Sequence, residues 1–322
     1  MKFARIIGTG GYLPDKVLTN SDLENLVQTT GEWIRERTGV EERHIAAPNE
    51  TTCDLAEAAA IRAIAAADIE PTSIDLIVLA TTTPDHIFPS VATQLQDRLR
   101  NYGCAAFDVQ AVCTGFIYAL SIAEKFLRTG AARRALVVGA ETFSRIIDWS
   151  DRSTCILFGD GAGAVVIEAA DAPGILSSHL HADGRYKELL WVPAGVSSGY
   201  DKTRENAAYV EMRGNEVFRV AVNTLGRIVE ETLAANDIGP EDVDWLVPHQ
   251  ANARIIAATA KKLSMPMERV IVTVAKHGNT SAASVPLALD VGVRDGRIKR
   301  GHSVLLEAFG GGFTWGSILL KY

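Results

Sequence analysis

Short apolar runs and helical repeats alternate along this chain. Residues 75–80 (DLIVLA), 105–109 (AAFDV), 135–141 (ALVVGAE) and 163–169 (GAVVIEA) are bounded by polar or glycine-rich turns, the pattern of short buried strands. Between them, residues 54–67 (DLAEAAAIRAIAAA) and 91–103 (VATQLQDRLRNYG) place apolar side chains at helical spacing. The alternation predicts an α/β fold with buried, largely parallel strands.

The second half of the chain then repeats the first. Residues 68–82 (DIEPTSIDLIVLATT) resemble 237–250 (DIGPEDVDWLVPHQ), with Asp, Ile, Pro and a second Asp in register: 237 − 68 = 244 − 75 = 169. FDVQAVCTGFIYAL aligns with VTVAKHGNTSAASVPLAL when Cys113 is set over Asn279, since 279 − 113 = 166. FGDGAGAVVI from Phe158 echoes FGGGFTWGSILL from Phe309. The pattern predicts one duplicated α/β unit with its boundary within residues 169–176, giving halves 1–174 and 175–322. Two such halves would bring their strand-to-helix junctions face to face, where ligands sit in open α/β sheets.

Composition narrows the function classes. With 322 residues, 47% of them hydrophobic, the chain can bury a large core. A formal charge of −7 (32 basic against 39 acidic residues) argues against a general nucleic-acid binder, although a local basic patch remains open. No run approaches the roughly 20 apolar residues of a membrane span, and the first residues lack a signal-peptide core. A soluble, cytoplasmic protein without membrane attachment is expected. The four cysteines form no C-x-x-C pair and no metal-ligand spacing, so neither disulfides nor a metal is expected. Cys53, Cys104 and Cys155 read as small buried hydrophobes.

Cys113 differs. It follows the AAFDV strand, and after it Phe116, Leu120, Ala123 and Leu127 recur at helical intervals, so it falls at a helix start where Ser, Thr, Asp or Asn is the ordinary choice. A helix N-terminus favours negative charge, so a thiol there is expected to lose its proton more readily. His249, ending the repeat of the DLIVLA strand, and Asn279, before the next helix, fall at matching junctions of the other half. Taken alone, His249 reads as a satisfied core histidine and Asn279 as a turn residue. Together with a thiol able to exchange acyl groups between thioesters, they form a candidate catalytic set.

DVQAVCTGF, WLVPHQAN, HGNTSAASVPLAL and LLEAFGGGFTWGS resemble the signatures of the β-ketoacyl-acyl carrier protein synthase III family, the condensing enzymes that initiate type II fatty-acid synthesis. The resemblance spans the chain from GTGGYLP through EWIRERTGV and LFGDGAGA to FTWGS. It implies a thiolase-like fold, five-layered αβαβα and built from two duplicated halves, commonly homodimeric. It implies an acyltransferase that joins an acyl-CoA primer, with acetyl-CoA expected, to malonyl-acyl carrier protein in a decarboxylative Claisen condensation. Acyl-CoA is then a substrate, and no cofactor is implied. Cys113 would accept the acyl group, while His249 and Asn279 would bind the malonyl thioester carbonyl. The backbone N–H groups of Cys113 and Gly311 would form an oxyanion hole, and Phe309 would favour loss of the carboxylate. Thr29, Trp33, Arg37 and Arg152 would hold coenzyme A, through guanidinium stacking on the indole and forked contacts to phosphate. Arg254, Lys261, Lys262 and Arg219 would meet the acidic carrier protein, and Phe88 would reach the neighbouring subunit's pocket.

The strongest rival from another class is a dinucleotide-dependent oxidoreductase, suggested by IIGTGGYLPDK. Its glycines follow a strand, but Leu13-Pro14 falls where a helix should begin and no complete G-x-G-x-x-G is present. A non-catalytic scaffold of the same fold is disfavoured by the presence of Cys113, His249 and Asn279 together. A sibling acting on a secondary-metabolite precursor stays open, whereas relatives using a Glu base would lack the Asn.

Overall fold

The computed structural model describes residues 2–198 and 208–322. Its first half carries β1 (Phe3–Tyr12), β2 (Lys16–Thr19), β3 (Glu42–Ile45), β4 (Leu76–Ala80), β5 (Ala105–Val109), β6 (Arg134–Glu141) and β7 (Gly161–Ala170). The second carries β8 (Ile175–Ala182), β9 (Leu190–Trp191), β10 (Glu211–Met212), β11 (Trp245–Pro248), β12 (Ser303–Gly310) and β13 (Thr314–Lys321). Two main sheets result, with orders β1-β7-β6-β4-β5 and β8-β13-β12-β11.

The apolar runs of the sequence become the central strands: every residue of β4 and β12 is buried. Two expectations are corrected. The sheets are mixed rather than largely parallel, because β7 runs antiparallel to β1 and β6, and β13 antiparallel to β12 and β8. Only β4–β5, β4–β6 and β11–β12 are parallel main-sheet pairs among the described residues. An apolar run reports burial on both faces but carries no direction. The AAFDV strand is not fully buried either. β5 is the sheet edge, with Ala105 exposed and the other four residues half-buried.

The two sheets correspond in numbering. β6 and β12 are offset by 169 at both ends (303 − 134 = 310 − 141 = 169). The helices Gly115–Arg128 and Ser284–Arg294 also begin 169 apart (284 − 115). Asp68 and Asp237 share φ 52°, and Val112 and Ser281 share φ 48°. The counterpart of Cys113 is therefore Ala282, and Asn279 stands three residues earlier (282 − 279). The sequence register of 166 had slipped at this turn.

The helix Thr52–Ala67 covers the outer face of the first sheet, and Gly214–Ala235 that of the second. The helices Gly115–Arg128 and Ser284–Arg294 lie between the sheets, where Phe116, Leu120, Val285 and Leu289 meet Val78, Val137, Leu306 and Ile318 in one core. Burying each such side chain stabilises the fold by about 2 kcal/mol. Gly10 explains the GTGG run. A Cβ there would lie 2.3 Å from the Ala59 carbonyl oxygen and 2.4 Å from the Ala63 nitrogen, so the glycine lets β1 approach the outer helix. The run lies inside a strand and opens no helix, so it lacks the strand–turn–helix context of a dinucleotide loop. Among the described residues, no helix is long and apolar enough to cross a membrane.

Candidate active site

Cys113, His249, Asn279 and Phe309 line one cavity of about 460 Å³ together with Trp33, Arg37, Arg152 and Arg254. Residues from both halves thus share one cavity that opens to solvent. The first four are buried, whereas Trp33 is 38% exposed.

Cys113 sits in a 3₁₀ turn, Val112–Thr114, that precedes the Gly115–Arg128 helix. The turn is tied to the second sheet: Thr114 Oγ1 donates to the Thr314 carbonyl at 3.0 Å, and Thr314 Oγ1 to the Ala111 carbonyl at 3.1 Å. Burial pushes the Cys113 thiol up to about 12; a Ser281 hydrogen bond opposes the rise and the Glu141 charge adds to it. The lowered pKa expected from a helix start is therefore not found, because desolvation of the thiolate outweighs the helix end.

His249 follows β11, and its N–H donates to the Glu307 carbonyl at 2.8 Å. Its Nδ1 lies 2.7 Å from Ser284 Oγ, which accepts the Gln250 N–H at 2.8 Å. Burial pushes the imidazole down to about 3, so the ring is neutral near neutral pH. Asn279 is fixed by backbone bonds, its N–H donating to the Leu157 carbonyl and its carbonyl accepting from Gly159. Its Oδ1 accepts the Ser281 N–H at 3.0 Å. That bond sets the amide orientation and leaves Nδ2 as the available donor.

Phe309 packs against Phe313 with ring centroids 4.6 Å apart. In the glycine run, a Cβ on Gly310 would fall 2.9 Å from the Cys113 nitrogen and 3.0 Å from the Thr114 nitrogen. Gly310 therefore lets β12 approach the backbone of the Cys113 turn, a close contact that sequence reading missed. The neighbouring Gly311 lies against the Leu190 carbonyl and Val112.

At the mouth, the Arg152 guanidinium lies 4.7 Å from the Trp33 ring centroid, and its Nη1 donates to the Gln28 carbonyl at 3.1 Å. Thr29 does not line this cavity, and its buried hydroxyl has no hydrogen-bond partner among the described residues. Arg254 stacks on Phe218 at 5.1 Å. Lys261, Lys262 and Arg219 are exposed outside the cavity, with Lys262 Nζ 3.4 Å from Asn223 Oδ1. Phe88 is 82% exposed and does not line this cavity. Of the remaining cysteines, Cys53 and Cys155 are buried as expected, but Cys104 is only half-buried, because it precedes the edge strand.

Residues 107–184 match the family model for 3-oxoacyl-[acyl-carrier-protein (ACP)] synthase III, and residues 233–322 match the model for its C-terminal part. The chain is 66% identical to the β-ketoacyl-[acyl-carrier-protein] synthase III of Thioalkalivibrio sulfidiphilus, over all of both chains. It superposes on the Aquifex aeolicus 3-oxoacyl-[acyl-carrier-protein] synthase III crystal structure with a TM-score of 0.93 and 48% identity, covering 99% of this chain and 100% of that one. The priming β-ketosynthase of the R1128 polyketide pathway superposes with a TM-score of 0.94 and 36% identity, covering 99% and 96%.

Proposed function

The chain belongs to the 3-oxoacyl-[acyl-carrier-protein] synthase III family, and from that premise we propose that it condenses an acyl-CoA primer, acetyl-CoA first, with malonyl-acyl carrier protein. It is an acyltransferase of the condensing class. The observation that carries the proposal is the shared cavity. A thiol, a neutral imidazole and an oriented amide share it with an indole, three guanidinium groups and a largely apolar remainder.

In the first half-reaction, Cys113 sulfur attacks the acyl thioester and the C–S bond to coenzyme A breaks. The N–H groups of Cys113 and Gly311 hold the transient oxyanion. In the second, His249 Nε2 and Asn279 Nδ2 donate to the malonyl thioester carbonyl. An acceptor role for Nδ1 toward Ser284 puts the ring proton on Nε2. The carboxylate leaves as carbon dioxide, aided by the apolar face of Phe309, which solvates the anion poorly. The enolate carbon then attacks acyl-Cys113 and releases the thiolate. Each donor aimed at developing charge in a dry site contributes about 3 kcal/mol.

Trp33, Arg37 and Arg152 serve coenzyme A, with Thr29 supporting the loop before them. Arg254, Lys261, Lys262 and Arg219 serve the carrier protein. The reading includes a cytoplasmic homodimer in which Phe88 enters the neighbouring pocket, and a five-layered αβαβα arrangement of halves 1–174 and 175–322. The offset of 169 between β6 and β12, and strand orders that correspond over four strands, support that arrangement.

Intact-protein mass spectrometry after exposure to acetyl-, branched and longer acyl-CoA species tests the proposal. An adduct from acetyl-CoA, mapped to Cys113 and passed to malonyl-carrier protein as a β-ketoacyl product, is expected. An adduct only from longer primers favours a secondary-pathway role, and no adduct from any primer overturns the proposal. For the carrier surface, Lys261 is a cleaner probe than Arg254, which lines the cavity itself. Lys261→Glu is expected to raise KM for malonyl-carrier protein severalfold at low salt and to leave acylation by acetyl-CoA unchanged. The difference should shrink as salt is added, because exposed charges are screened beyond about 10 Å at 0.1 M. Equal damage to both half-reactions would remove Lys261 from the carrier surface.

A further inference from the structure

Behind Cys113 lies a buried carboxylate that neither half-reaction uses. Glu141 ends β6 and is fully buried. Its partners are neutral donors: Thr83 Oγ1 at 2.6 Å, the Thr82 N–H at 3.1 Å, Ser281 Oγ at 3.1 Å, Thr81 Oγ1 at 3.4 Å and the Ala282 N–H. Three residues of the first half and two of the second thus converge on one carboxyl group.

Ser281 stands between them. Its hydroxyl donates to Glu141 Oε1, and the 3₁₀ turn it opens, Ser281–Ala283, packs against the Val112–Thr114 turn that carries Cys113, where Ser281 opposes the rise of the thiol. The residue is held at φ +48°, a left-handed conformation that a serine rarely adopts, and its N–H is pinned to Asn279 Oδ1. One hydroxyl proton cannot serve both neighbours at once, so the bridge has two states.

We propose that Glu141 accepts the Cys113 proton during acyl transfer, with the Ser281 hydroxyl as the bridge. The proposal rests on the acyl-Cys113 reading above. As the sulfur electron pair forms the bond to the acyl carbon, the S–H proton passes to Ser281 Oγ, and Ser281 passes its own proton to Glu141 Oε1. The C–S bond to coenzyme A breaks, and the departing thiolate takes a proton from solvent at the cavity mouth. When the enolate later displaces Cys113, the proton returns from Glu141 through Ser281 to the sulfur. The negative charge moves from the carboxylate toward the substrate without a second charge forming beside it in the dry interior.

Among the described residues, Cys113 and Glu141 are the titratable groups of this bridge; His249 lines the cavity with Cys113, the buried Glu307 lies behind His249, and Thr81, Thr82, Thr83, Ser281 and Ala282 supply neutral donors. His249 is a poor acceptor, because burial holds it near 3 and its Nδ1 is occupied by Ser284. Burial, opposed by its hydrogen bonds, pushes Glu141 up to about 7, so it is a base near neutral pH. The ionised form is the acceptor. Acylation should therefore rise as pH increases through about 7 and fall as the carboxyl protonates below it.

The test is single-turnover acylation by acetyl-CoA across the pH range, in native protein, Glu141→Gln and Ser281→Ala. Both variants are expected to acylate about a hundredfold more slowly near neutral pH and to lack the inflection, gaining rate only with alkaline thiol ionisation. Infrared difference spectra of native protein should show a carboxylic acid C=O band appearing on acylation and missing in Glu141→Gln. If Glu141→Gln does not fold, Ser281→Ala carries the decision. Native rate or a retained inflection in the folded variants overturns the relay alone. Failure of the native protein to form acyl-Cys113 overturns the function from which it starts.

Discussion

Cys113→Ala protein is expected to take up no acyl group from acyl-CoA and to make no β-ketoacyl product. The expectation follows from the position of the four thiols. Cys53 and Cys155 are fully buried away from the cavity, with burial pushing their thiols up to about 12 and about 11. The Cys104 sulfur is held by the Asn101 and Gln96 side-chain amides at 3.4 and 3.5 Å. None of them can replace a sulfur that faces His249 and Asn279 across one cavity. The substitution deletes a single atom from a turn fixed by Thr114 and Thr314, so the fold should survive with little loss of stability. Malonyl-carrier protein should still lose carbon dioxide in this variant, because both carbonyl donors remain. Mass spectrometry for the adduct and separate measurement of carbon dioxide release check the two halves of the expectation. An adduct on another cysteine, with product still forming, would transfer the nucleophilic role.

The opposite split is expected for the donors. Asn279→Ala should acylate Cys113 and lose decarboxylative condensation about a hundredfold or more, the scale of one well-placed donor in a dry site. His249→Ala should behave alike, since a buried imidazole held near 3 is suited to donate from Nε2 rather than to store a proton. A protease-like arrangement with His249 as obligatory base predicts no acyl-enzyme in His249→Ala. Single-turnover acylation, measured apart from carbon dioxide release, separates the two mechanisms. If both variants stay folded and neither acylates, the division of labour between the halves is wrong.

The convergence of Cys113, His249 and Asn279 on one cavity was legible in the sequence because they stand at the ends of recognisable apolar runs. Cys113 and His249 follow strand-like segments, and Asn279 precedes a helical one. What escaped was everything that depends on contacts between distant segments. Glu141 meets Thr83 and Ser281 across 58 and 140 residues of sequence. Ser284 reaches His249 across 35, and neither serine differs in local pattern from an ordinary helix-start residue. The lowered pKa assigned to Cys113 failed for the same reason: the helix start was visible, but the depth of burial was not. The alternating pattern identified strands without their directions, and it could not show that β5 lacks a neighbour on one side. The slip from 169 to 166 arose at the turns around Cys113 and Asn279, where 3₁₀ geometry separates strand from helix and residue types no longer follow a period.

The pairing of Arg152 with Trp33 has an optical consequence. The chain contains five tryptophans, and among them only Trp33 lines the cavity. Trp149 and Trp245 bond through their indole nitrogens to Ser144 and His302, while His181 stacks on Trp315 and Trp191 bonds Glu211. On the coenzyme A reading, a planar ring entering between Arg152 and Trp33 would exchange a cation for an aromatic face above the one indole that lines the cavity. Occupancy of the mouth can thus be followed from the intrinsic emission of a single residue, with Trp33→Phe as the dark reference and no attached dye.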